Sequence, residues 1–280
     1  MHDRVEKLGR SVIQHGKHNN RIYLMKLDPA DLPDIIGDLS EIARTERYAK
    51  IFIKIPVRSV PWFKADGYII EAVIPRLFRG EEDGCFMSKF LDSDRVHFLP
   101  EQKLHELGAL LMEKQADKGD IALADRFSYR RLTVSDIEQM ISVYREVFRS
   151  YPFPIHDSAY LEKLITTGEV MFFGVFENTG DKLVAISSAE ADREGTHAEM
   201  TDFATLPEYR GNKLSVFLLK KMEEAMQQMN IDTVFTIARL QSIPMNKTFL
   251  SQKYTFGGTL INNTHIAGSI ESMNIFYKHL

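Results

Sequence analysis

One cysteine in 280 residues is the first constraint. Cys85 has no second thiol with which to close an internal disulfide, and it excludes a cysteine-rich zinc site. No cysteine falls between residues 123 and 280, so an acyl-cysteine intermediate is excluded there. An excess of charge of one sign is also missing. Thirty-five Lys and Arg stand against 39 Asp and Glu, a formal charge of −4, and the two signs are mixed along the chain. That balance argues against a nucleic-acid partner. No apolar run approaches a membrane span. The opening MHDRVEKLGRSVIQHGKHNN lacks the apolar core of a signal peptide, and its polar start is expected to fray. Nine histidines are scattered without metal-ligand spacing, so no metal is expected. These absences point to a cytoplasmic chain without nucleic acid or membrane as partner, and they set no oligomeric state.

What is present suffices for a core: 44% of residues are hydrophobic, over a length that allows one large domain or two small ones. In the first half, RIYLMKL (residues 21–27) reads as a strand and DPADLP as a turn. Ile35, Ile36, Leu39, Ile42 and Ala43 then recur at helical spacing. IFIKI (51–55) is strand-like, a short helix spans about 59–64, and strands follow at 68–74 and 86–91, separated by the polar RGEEDG. A helix is expected over about 101–118. A boundary near 120–126 divides the chain into domains 1–122 and 123–280.

The second half opens with a strand at 128–132 and a helix start at Thr133–Asp136. Ile137, Met140, Ile141, Tyr144, Val147 and Phe148 form an apolar stripe. After the loop YPFPIHD (151–157) come a short helix and strands at 170–176, 183–189 and 198–206. A long helix carries Leu214, Phe217, Leu218, Met222, Ala225, Met226 and Met229 on one face. A strand at 233–238, a helix at 243–253 and strands near 259–262 and 270–277 complete the chain. Shifted by 186 residues, Phe63, Tyr68, Met87 and Phe90 fall on Phe249, Tyr254, Met273 and Phe276. The order strand, turn, helix, strand, short helix, strand, strand recurs with them. The first half therefore reads as a degenerate copy of the C-terminal part of the second.

The stretch TDFATLPEYRGNKLS (201–215) carries a strand through Arg210-Gly211-Asn212-Lys213 into the long helix. A helix N-terminus presents unpaired N–H groups and partial positive charge, and Arg210 and Lys213 add formal charge, so a pyrophosphate suits this turn. The turn resembles the pyrophosphate signature of the GNAT N-acetyltransferase family: Gln/Arg-x-x-Gly-x-Gly/Ala between a strand and a long helix. Arg210 matches. Lys213 stands where glycine is usual, and Ser215 where glycine or alanine is usual. The element order of residues 127–280 resembles the family's as well.

The resemblance implies an α/β (α+β) acyltransferase fold, with a mixed, mostly antiparallel sheet, helices on both sides and acetyl-CoA as cosubstrate. It implies that Arg210, Gly211, Asn212, Lys213, Leu214 and Ser215 hold the pyrophosphate, and that Phe203, Ala204 and Thr205 pair with the pantetheine arm. Ser242 and Asn246 are implied as further contacts. The family's usual tyrosine near the thiolate is replaced by Phe249. Glu199, eleven residues before Arg210, stands where a histone-acetylating branch carries its glutamate base. By strand alternation Glu199, Thr201 and Phe203 share one face and Asp202 lies on the other. Tyr151 and Phe153 are candidates for lining a substrate pocket.

Over the full length, KIFIKIP, GYIIEAVIP, FMSKFL, YPFPI, DFATLPEYRG and TFGGTLINNTHIAGSIESMN resemble the beta-lysine N6-acetyltransferases, two-part members of this superfamily. That resemblance implies a small-molecule amine substrate, beta-lysine, which a lysine 2,3-aminomutase forms from lysine, and a product that serves as a compatible solute. Acetylation of another amine, such as a polyamine or a protein lysine, and a non-catalytic acyl-CoA-binding role on the same fold remain open at this point.

Overall fold

The computed structural model describes residues 3–96, 101–113 and 121–280. The first half runs β1 (Arg4–Leu8), β2 (Ser11–Gly16), β3 (Arg21–Lys26), α1 (Asp34–Glu46), β4 (Lys50–Pro56), α2 (Val60–Ala65), β5 (Ile69–Phe78), β6 (Glu82–Phe90) and α3 (Glu101–Met112). The second half runs β7 (Phe127–Arg131), α4 (Ile137–Val147), α5 (Ser158–Thr167), β8 (Val170–Glu177), β9 (Lys182–Asp192), β10 (His197–Thr205), α6 (Leu214–Gln228), β11 (Thr233–Arg239), α7 (Ile243–Ser251), β12 (Thr255–Ile266) and β13 (Ser269–His279). The described residues join all thirteen strands into one sheet, in the order β1-β2-β3-β4-β6-β5-β12-β13-β11-β10-β9-β8-β7. Among the described residues, only β3–β4 and β10–β11 pair in parallel.

Local chemistry explains the ends of these elements. Ile35, Leu39 and Ala43 put one buried stripe of α1 onto Ile22, Leu24, Ile51 and Ile53 of β3 and β4. Thr133 and Asp136 form a capping box ahead of α4, and Arg130 grips Asp136 through two bonds of 2.6 and 2.7 Å.

The N-terminus departs from expectation. Rather than fraying, residues 4–16 form the β1–β2 hairpin, whose inner strand buries Ile13, Gln14 and His15. The polar side chains are tolerated there because they are bonded: His15 faces Tyr48 and Glu6, and Gln14 donates to the carbonyl of Pro152 at 3.3 Å. RGEEDG is shorter as a turn than expected, since β6 already begins at Glu82. The helix expected to reach residue 118 is described to Met112. Residues 114–120, and with them the start of the expected domain boundary, lie outside the described residues.

The repeat read from the sequence has a topological counterpart. β3-β4-β6-β5 in the first half corresponds to β10-β11-β13-β12 in the second, each with a parallel pair followed by an antiparallel hairpin. α1 and α6 occupy equivalent connections, as do α2 and α7. At the ends of α2 and α7, Phe63 meets Tyr68 and Phe249 meets Tyr254 edge to face, both with centroids 5.2 Å apart.

The halves meet where β5 pairs with β12 through Gly258 and Ala72. Gly258 has φ +143°, and a Cβ there would lie 2.2 Å from the Glu71 carbonyl oxygen, so only glycine permits this approach. Behind the seam, Lys50 pairs with Glu71 at 3.0 Å with both side chains buried. Lys50 also donates to the Ile261 carbonyl at 2.6 Å, and Glu71 accepts from the Ile261 N–H at 2.7 Å. Each charge thus has backbone partners across the seam, which offsets its desolvation.

Candidate active site

β10 and β11 pair only from His197–Glu199 to Thr233–Phe235, although β10 continues to Thr205 and β11 to Arg239. Beyond Glu199 the strands part. β10 stays on β9, and among the described residues its other edge, through Phe203, Ala204 and Thr205, has no strand partner. An extended amide-bearing ligand can add there as a strand does.

A β-bulge interrupts β10. Thr201 pairs with Ser188 and Ala204 with Ile186, so Asp202 and Phe203 together oppose Ser187. Asp202 takes the left-handed φ of +56°. The strict alternation expected for this strand therefore fails. Asp202, expected on the face opposite Glu199, lines the same cavity. Its carboxylate accepts hydrogen bonds from the hydroxyls of Tyr151 and Ser188, the latter at 2.5 Å.

The cavity measures about 600 Å³ and draws its wall from both halves. Glu199 of β10 stands directly across from Glu190 of β9. Burial is the chief cause that raises both carboxyls, and their mutual repulsion adds to it on Glu190. Glu190 is pushed up to about 8 and Glu199 to about 7, with Lys54 opposing the rise at each. Raised this far, the two carboxyls are not both ionised near neutrality, and the one that ionises is a base matched to that pH. His197 also lines the cavity, but burial and Lys54 lower its pKa to about 3, so it is a neutral and feeble base. From the first half, Arg21, Tyr23, Phe52 and Lys54 face the same space.

At the helix turn, Gly211 has φ +86° with open space where a side chain would begin, and Lys213 has φ +58°. The backbone N–H groups from Gly211 to Ser215 donate to no described residue. Asn212 is held by Arg126 at 2.8 Å and by the Tyr209 carbonyl at 2.8 Å, which fixes the turn. Arg210 and Lys213 are exposed. The arrangement is a nest of free donors at the start of a fifteen-residue helix, with two cations beside it.

Of the other residues singled out from the sequence, Tyr151 and Phe153 line the cavity. Ser242 caps α7 without a side-chain bond. Asn246 lies inside the fold. It is fully buried, its amide nitrogen lies within bonding distance of the carbonyls of Arg239, Leu240 and Ser242, and its oxygen accepts from Asn274 at 3.1 Å. These bonds tie its side chain to the turn that leads into α7. Phe249, also buried, packs edge to face on Phe203, with centroids 5.6 Å apart. Arg21, Tyr23, Lys54 and Glu190 were not anticipated. Their signal was present: RIYLMKL and IFIKI carry a cation inside otherwise apolar strands, where charge is rarely buried without purpose.

The chain itself has relatives among known proteins. The model of the acetyltransferase (GNAT) family matches residues 137–249. A beta-lysine N(6)-acetyltransferase from Methanococcus maripaludis is 33% identical over 276 residues, covering 99% of this chain and 98% of that protein. The N-acetyltransferase YodP of Bacillus subtilis is also 33% identical, covering 96% of each chain. A beta-lysine N(6)-acetyltransferase from Methanosarcina mazei is 27% identical over 88% of this chain. The chain belongs to the GNAT acetyltransferase family. It is an N-acetyltransferase, and the family's acyl donor is acetyl-CoA.

Proposed function

We propose that the protein transfers the acetyl group of acetyl-CoA to the N6 amine of beta-lysine. The observation that carries this reading is the likeness to beta-lysine N(6)-acetyltransferases across both halves, where the first half supplies part of the cavity wall. The pyrophosphate sits on the N–H groups of Gly211–Ser215 beside Arg210 and Lys213, and the pantetheine arm adds to the free edge of β10.

Glu199 is the base. The alkylammonium of the substrate has a pKa of about 10.4 and is almost wholly protonated at pH 7. Glu199 takes one proton, and the freed amine attacks the thioester carbonyl. Negative charge grows on the carbonyl oxygen, where an unpaired N–H of β10 stabilises it. The C–S bond then breaks, the amide forms, and the departing thiolate leaves as the thiol with the nitrogen's surplus proton. Burial, with repulsion from Asp202, keeps Glu199 raised against the pull of Lys54. Asp202, held by Tyr151 and Ser188, adds negative potential that draws an ammonium into the cavity. The product has one ammonium and one carboxylate and so no net charge, which suits an intracellular compatible solute. Thiol release from acetyl-CoA, measured with beta-lysine, α-lysine, spermidine and a lysine peptide, tests the reading. Beta-lysine is expected to have the highest kcat/KM, and preference for spermidine or the peptide would overturn it.

A further inference from the structure

The first half places one side chain in the cavity that the acetyl-transfer chemistry leaves unused. Arg21 opens β3 and is 4% exposed. No ion pair joins it to any carboxylate among the described residues. Its Nη1 donates to the Asn263 carbonyl at 2.5 Å and to Thr264 Oγ1 at 3.3 Å, and its Nε finds no acceptor. The guanidinium lies over the rings of Tyr23 and Phe52, 5.5 and 5.3 Å from their centroids, which sets its plane. Burial and the neighbouring Arg95 lower its pKa to about 10, so it stays charged at neutral pH.

Asp3 and Glu71 act on Arg21 only at a distance, and a buried cation with no carboxylate in contact is costly, a cost that a ligand's carboxylate would offset. A second observation stands beside it. Asn263 is 1% exposed and lines the same cavity, yet among the described residues neither its side-chain oxygen nor its nitrogen has a hydrogen-bond partner. β12 departs from β13 between Leu260 and Thr264, and this irregularity takes Asn263 out of the paired ladder. An uncharged amide donor and a fixed guanidinium thus flank one end of the cavity. Glu190, Glu199 and Asp202 supply the opposite polarity elsewhere in it.

We infer that Arg21 and Asn263 form a carboxylate subsite that selects amino-acid substrates over simple diamines and polyamines. The inference rests on the proposed amine acetylation and names the feature that orients the substrate: the carboxylate at Arg21, the reacting amine at Glu199, and the second ammonium among the remaining acids. Tyr23, which Arg21 and Glu199 both influence electrostatically, lines the cavity with them. A polyamine would leave Arg21 unpaired and bring a cation toward it, so the site rejects it by an unmet charge as well as by a lost contact. The subsite also gives the first half a function in catalysis: it reads the substrate's acid end.

The test compares beta-lysine with 1,4-diaminopentane, which has the same two amines and no carboxylate. The parent enzyme is expected to prefer beta-lysine by at least about 30-fold in kcat/KM, the scale expected for a buried charge pair. In Arg21→Gln that ratio collapses toward one, chiefly through the KM for beta-lysine. Arg21→Lys keeps the charge without the planar fork and lies between. Asn263→Ala lowers the ratio as well, and it carries the test should Arg21→Gln fail to fold by circular dichroism. Equal use of the two substrates by the parent overturns the subsite, and so does a variant that slows both in proportion with the ratio intact, which marks a structural role only. These failures leave beta-lysine acetylation standing. A parent that acetylates spermidine but neither beta-lysine nor α-lysine overturns the proposed function and the subsite together.

Discussion

Replacing Glu199 by glutamine keeps the side chain's size and removes its basicity. The structure sets what this should cost. At pH 7 an alkylammonium with a pKa of about 10.4 presents only about one free amine in 2,500 molecules, so an enzyme without a base draws on that fraction. Removal of a general base typically slows the reaction by about 10²–10⁴, and kcat should fall in that range. Asp202 cannot take over readily, since Tyr151 and Ser188 already occupy its oxygens. Glu190 should also become easier to ionise, because repulsion by Glu199 is the second cause of its raised pKa after burial. The pH profile supplies the sign. Glu199 is pushed up to about 7, so in the parent the base is protonated and inactive below that pH, and kcat/KM climbs as the pH rises through it. In Glu199→Gln that step should vanish and the deficit should shrink toward pH 10. Thiol release at pH 6–10, under conditions where chemistry limits the rate, makes the measurement. Near-parental kcat at pH 7, or an unchanged step near pH 7 in the variant, would refute the assignment.

Three further outcomes follow from the same geometry. Arg210→Glu should weaken acetyl-CoA binding at least about 10-fold by calorimetry while the melting temperature holds, because the side chain is exposed and among the described residues it bonds only the Thr205 carbonyl, through Nε. Lys213→Gly should relieve about 1 kcal/mol of left-handed backbone cost at φ +58° and so raise thermal stability, while weakening acetyl-CoA binding and flattening its salt dependence; tighter binding would show that the lysine only obstructs. Gly258→Ala should destabilise the protein by about 3 kcal/mol in denaturant titration, since its Cβ would meet the backbone of β5, and an unaltered midpoint would contradict the packing of the seam.

Much of the second half was legible because its signals are local. The stripe on α4, the Thr133–Asp136 cap and the turn into α6 each depend on residues within a few positions of one another. The first half was legible for α1 and the strands around it, and less so at its edge. β1 and β2 mix polar and apolar residues, and Gln14 and His15 are buried only because partners distant in sequence satisfy them. Asp202 was misplaced because a bulge breaks the two-residue period from which its face was read. The burial of Asn246 was not legible, because it follows from bonds between its amide and the turn that leads into its own helix. Glu190 could be found only from the register of β9 against β10, and Arg21 only once the two halves were brought together.

The central claim is that an amine carried by an amino acid attacks acetyl-CoA in the cavity the two halves share. The most direct measurement is NMR analysis of the product formed from beta-lysine and acetyl-CoA labelled with carbon-13 in the acetyl group. The account predicts one product, with the label in an amide at N6 and the C3 ammonium and the carboxylate untouched. Label at the C3 amine, or no transfer to beta-lysine under conditions where another amine is acetylated, would contradict it.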